Sequence, residues 1–156
     1  MRFTGIAVLA TLVACSTKEK APEAAPAVAP AAAPAASAPA AFSLADAAGK
    51  WTYVARSATT DSVLVTAELN ATADGKGWTI TFPKRQPLPM TVTIGGDSAI
   101  TSAGPYESVL RKGVTVTTDG VLRMSGGKLV GTSKAHYSVK TADSVRALIV
   151  EATRMP

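Results

Sequence analysis

From Trp51 to Ile149 the sequence alternates apolar and polar residues with a period of two. That period belongs to a strand with one face buried, not to a helix, whose apolar stripe returns every three to four residues. Val63, Val65, Ala67 and Leu69 alternate with Leu64, Thr66 and Glu68. Trp78, Ile80 and Phe82 form the next run, and Met90, Val92 and Ile94 the one after. Val114 and Val116 follow. Leu129, Gly131, Ser133, Ala135 and Tyr137 then share one face, and Val145, Ala147 and Ile149 share one face of the last run. Such a chain has to close its faces on themselves or on a second sheet.

The breaks between runs decide how the strands connect. Ala73-Asp74-Gly75-Lys76-Gly77, Gly95-Gly96-Asp97, Asp119-Gly120 and Gly126-Gly127-Lys128 supply the positive φ that tight hairpin turns require. Pro83, Pro87 and Pro89 cannot donate to a ladder, which predicts a loop or strand edge there. Ser43 is placed to cap one short helical turn over Leu44–Ala48 before the first strand. The expectation is an all-β domain over residues 44–156, an antiparallel up-and-down meander of about eight strands. Eight strands close well into a barrel, which removes exposed edges. A two-sheet β-sandwich is the alternative. Val63, Val65, Leu69, Trp78, Ile80, Phe82, Met90, Val92 and Ile94 are expected to point inward, bulky enough to fill such a barrel completely.

Gly49-x-Trp51 on the first strand, after the helical turn, together with Arg154 at the end of the last, resembles the calycin pattern of lipocalins and avidin-like barrels. The resemblance implies structural roles for two residues. Trp51 closes one end of the barrel, and Arg154 packs across its ring.

The domain has about 110 residues, enough to bury about two thirds of its unfolded surface without staples. It needs that core, because the single cysteine of the 156-residue chain, Cys15, lies far upstream. An intramolecular disulfide and a multi-thiolate zinc site are excluded. The net charge of +5 is spread along the sequence, and the chain lacks the basic stripe with interleaved aromatics that nucleic-acid binding would want. The expectation is therefore no nucleic-acid partner, and a weak attraction to anionic surfaces.

Upstream of the domain, Met1-Arg2 and the apolar run Phe3–Leu12 have the pattern of an export signal, too short to span a bilayer. Leu12-Val13-Ala14-Cys15 follows and resembles the bacterial lipobox. The resemblance implies that residues 1–14 are removed and that Cys15 carries the lipid. Ser16 in place of an aspartate implies the outer membrane. Several acyl chains, each buried CH₂ contributing about 0.8 kcal/mol, make such attachment durable. Residues 15–43 then form a tether, with Pro22, Pro26, Pro30 and Pro34 at every fourth position and Pro39 after them. Proline once per turn removes donors and clashes with the preceding turn, so an extended polyproline-like spacer is expected. At about 3.1 Å per residue it would reach roughly 60–80 Å.

Chemistry is sparse in the domain. His136 is the only histidine, so any Ser-His-Asp arrangement must use it, and its place in the alternation points it outward. No catalytic residue, metal ligand or cofactor is expected. The stretch Gly104–Gly113 breaks the alternation and brings Tyr106, Glu107 and Arg111 together, with Glu107 in reach of Arg111 or Lys112. These three are the candidate binding residues, on a loop at one barrel mouth. The expected function is a membrane-anchored, non-enzymatic binding module for a small apolar or amphiphilic ligand or an envelope component. The alternatives are a structural or interaction lipoprotein with a filled barrel and, last, a hydrolase. The oligomeric state is left open.

Overall fold

The computed structural model describes residues 41–156. Cys15, the export signal and most of the tether lie outside the described residues. Eight antiparallel strands form a closed barrel in sequence order: β1 (Gly49–Ser57), β2 (Val63–Ala71), β3 (Thr79–Thr81), β4 (Leu88–Gly95), β5 (Ser98–Glu107), β6 (Thr115–Ser125), β7 (Lys128–Tyr137) and β8 (Val145–Arg154). The sandwich alternative falls because β8 pairs with β1, from Trp51↔Arg154 to Ser57↔Leu148. One short helix, α1 (Leu44–Ala47), precedes the barrel, and the Ser43 hydroxyl accepts from the Asp46 amide at 3.2 Å as its cap.

Each strand turns one face inward; in β8 that face is Leu148, Val150 and Ala152, so Val145 (49% exposed), Ala147 and Ile149 (44% exposed) lie on the outer wall. Trp51, Trp78, Leu69, Leu129 and Val150 are the largest fully buried side chains. Phe42 joins the same core and its amide donates to Gly96 O at 3.0 Å, so packing begins two residues before α1. The outer wall mixes ion pairs, among them Lys50–Glu68 and Lys128–Glu151, with exposed apolar side chains such as Ile100, Val121 and Ile149.

Several expectations are corrected. Asp119-Gly120 is no turn: it lies inside β6, where Gly120 is buried opposite Ser133. A Cβ on Gly120 would meet Thr101 Oγ1 at 2.9 Å, so the missing side chain serves interior packing. Val63 is 51% exposed and Ile94 40%, not interior. Val63 is turned out by an irregularity between Ala55 and Arg56, and Ile94 lies near the lower rim. Gly104-Pro105 does not begin a loop either, since β5 continues through a shifted register to Glu107.

In an up-and-down barrel successive connections alternate between the ends. Residues 58–62, 82–87, 108–114 and 138–144 form the upper end. The tight turns 72–78, 96–97 and 126–127, with α1, form the lower end.

Candidate functional site

The lower end is closed by one clasp. Trp51 Nε1 donates to Ala47 O at 2.9 Å, anchoring α1 beneath the barrel. The Arg154 guanidinium lies 4.3 Å from the Trp51 ring centroid. It donates to Ala48 O at 2.7 Å and Asp46 O at 2.6 Å, so one planar fork ties the last strand to the C-terminal end of α1. Gly49 has φ +132, and a Cβ there would sit 2.6 Å from Arg154 Nη1. Every group of the clasp is spent on closing the barrel, and none points at a ligand.

The barrel interior is nearly full. A cavity of about 40 Å³ lies under the upper loops, lined by Tyr53, Ile80, Phe82, Tyr106, Val116 and Tyr137 among others. A smaller void of about 20 Å³ lies below it, beside Thr101 and Gly120. These hold a few waters at most. Ligand pockets for small organic molecules run to roughly 300–1,000 Å³. Burial, and secondly Tyr106, push the Tyr53 phenol far above its ordinary value. Burial likewise raises Tyr106, with Tyr137 adding to the rise.

The three candidate binding residues are brought to the upper end but not to one point. Tyr106 faces inward and stacks on Phe82, ring centroids 5.5 Å apart. Glu107 follows it in the strand, is exposed, and accepts from the Gly113 amide at 3.1 Å. It forms no ion pair with Arg111 or Lys112, because the loop's own turn takes its carboxylate. Arg111 instead lies 4.3 Å from the Tyr137 ring centroid and donates to Asp143 at 2.5 Å. A hydrogen bond from Thr141, and then Arg111, hold the Asp143 carboxyl below its usual range. The loop is internally fixed: buried Ser108 accepts from the amides of Leu110 and Arg111, both at 3.0 Å, and its own amide donates to Val114 O at 2.8 Å.

Arg85 escaped the sequence reading. From the β3–β4 connection its guanidinium crosses to β5 and donates to the carbonyls of Glu107 and Ser108. Its charge meets neutral carbonyls there, and it appears in no ion pair among the described residues. The Pro83–Pro87–Pro89 run was the available signal that this connection leaves the sheet. His136 sits on the outer wall near the upper end of β7, opposite Val145 of β8 and 3.6 Å from Asp119. No group of three or more His, Cys, Asp or Glu suited to a metal occurs among the described residues.

The upper loops carry Lys84, Arg85, Arg111, Lys112 and Lys140 against Asp61 and Asp143. The lower turns and α1 carry Asp46, Asp74 and Asp97 against Lys76. The upper end is therefore net basic, a rim over the tyrosine-lined cavity, whereas at the lower end Lys50 and Arg154 join Lys76 to offset the three aspartates.

No family model, curated protein or solved structure matches the chain.

Proposed function

We propose that the chain is a membrane-anchored envelope lipoprotein whose barrel is a non-enzymatic interaction module, working through its upper loops and not through a ligand in its interior. The observation that carries this reading is the interior itself, with about 40 Å³ and 20 Å³ of free space beneath a wall of aromatic and aliphatic side chains. A bound apolar molecule would need several times that room. The filled-barrel alternative thus gains over the small apolar ligand, and the basic upper rim becomes the contact surface. The chain enters the barrel through Phe42 at the lower end, opposite the upper loops.

Kinship with the calycins belongs to the same reading. It is supported by the barrel's strand count and by Arg154 lying against Trp51. The full chain, purified from the membrane fraction of its host and weighed under native conditions, tests the proposal. The expected mass carries acyl chains on Cys15 and no further bound molecule. An unacylated cysteine would sink the anchor, and a stoichiometric apolar ligand would sink the filled interior.

A further inference from the structure

β3 is too short for its place in the barrel. β2 runs nine residues, yet β3 pairs only with Glu68, Leu69 and Asn70. Above that point Val63–Ala67 is paired on the β1 side alone. The β3–β4 chain departs at Phe82–Pro83, where proline has no donor, and turns back through Lys84 at φ +61. None of the loop's backbone bonds returns to Val63–Ala67. The vacated strip is a groove of about 340 Å³ lined by Leu64, Thr66, Phe82, Pro83, Arg85 and Val109. A barrel is closed to remove edges, and here one edge of about five residues, roughly 17 Å, stays open.

We infer that this seam accepts an acidic, extended segment of a partner protein as an added strand along Val63–Ala67. The inference rests on the upper-end reading given above and names the partner. Unpaired amides and carbonyls of β2 offer main-chain hydrogen bonds, the currency of strand addition. Leu64 and Val109 offer apolar contact for alternate side chains of the guest, over the buried Phe82 at the groove floor. Arg85, held by two neutral carbonyls at the groove wall, and Lys84 beside it choose carboxylates for the rest. A second copy of this barrel is disfavoured as the guest, because its own upper rim is equally basic. The chain's alanine/proline run is a poor guest, lacking a donor at every fourth residue.

The test uses the full-length chain in detergent micelles and a nine-residue peptide of alternating valine and glutamate. A second peptide of the same sequence has alternate backbone amides N-methylated, and dextran sulfate serves as a polyanion without a backbone to pair. Binding is followed by fluorescence anisotropy and amide hydrogen exchange. The valine/glutamate peptide is expected to bind and to slow exchange within Leu64–Ala67. The N-methylated peptide should bind at least about tenfold more weakly, since several ladder bonds are lost. Lys84→Glu should weaken the parent peptide and leave the barrel folded. Equal binding of both peptides, or unchanged exchange along β2, overturns strand addition and leaves the upper-end reading standing. Dextran sulfate binding without peptide binding also overturns it, in favour of an acidic glycan on the same rim. A sedimenting dimer with the β2 amides already protected assigns the seam to a second copy and overturns it as well. If no acidic probe binds, both the inference and the reading beneath it fall.

Discussion

Two kinds of residue carry the ends of this barrel, and each has a measurable consequence. Arg154 joins an indole face to two backbone carbonyls around α1. Arg154→Ala removes both bonds and the cation from Trp51, and should destabilise the fold by about 1–3 kcal/mol in urea unfolding. Arg154→Lys should recover less than half of that, because one ammonium cannot span both carbonyls from over the ring. At the other end the tyrosines predict a pH dependence. Tyr53 and Tyr106 are raised above their ordinary value in the folded state, first by burial. The unfolded chain therefore loses these protons first as pH rises. Their contribution is fully present below about pH 10 and is lost above it. Urea midpoints at pH 8 and pH 11 should differ, and Tyr53→Phe should narrow the difference. A midpoint independent of pH across that window would show that the Tyr53 hydroxyl is solvated.

At the scale of elements, β6 and β7 owe their close approach to glycine. Gly131 packs where a Cβ would fall 1.9 Å from the Val121 carbonyl oxygen, a backbone atom that cannot swing aside. Gly131→Ala should force the two strands apart and cost about 2 kcal/mol or more, seen as a lowered thermal midpoint. Gly96→Ala, with open space around it, should lose only the turn's positive-φ preference, about 1 kcal/mol. Both glycines are the same letter in the sequence, and this is where sequence reading reaches its limit. The period of two, the 73–77, 95–97 and 126–127 turns and the capped turn at Ser43 were legible because each is a local property. Gly120 was misread as a turn because a glycine after an aspartate has the composition of a hairpin, whereas its cause is the Thr101 and Ser133 side chains on neighbouring strands. Tyr106, Glu107 and Arg111 lie at one end of the barrel, but their partners were not legible. Tyr137, Asp143 and the Gly113 amide reach them through pairing between strands or the folding of the loop itself. The open β2 edge was invisible for the same reason, since a missing neighbour leaves no mark on the strand that lacks it.

At the scale of the whole molecule the excess positive charge of the connections concentrates at one end of the barrel. The upper loops hold Lys84, Arg85, Arg111, Lys112 and Lys140 against Asp61 and Asp143, whereas at the lower end Lys50, Lys76 and Arg154 balance Asp46, Asp74 and Asp97. Of these upper cations only Arg111 is in an ion pair among the described residues. A field of this kind orients the molecule as it approaches an anionic surface and is screened beyond about 10 Å at 0.1 M salt. The effect is separable from net charge by two double variants that change the total equally. Lys84→Glu with Lys112→Glu reverses two charges on the upper rim. Lys50→Glu with Lys76→Glu reverses two at the lower end, where the only ion pair lost is the exposed Lys50–Glu68 contact, worth little. If the upper rim is the contact surface, the upper variant should leave a sulfonate cation-exchange column at markedly lower salt than the lower variant. Their far-ultraviolet circular dichroism should be the same. Equal elution of the two would mean that retention follows net charge alone, and the barrel would then have no preferred face toward an acidic partner.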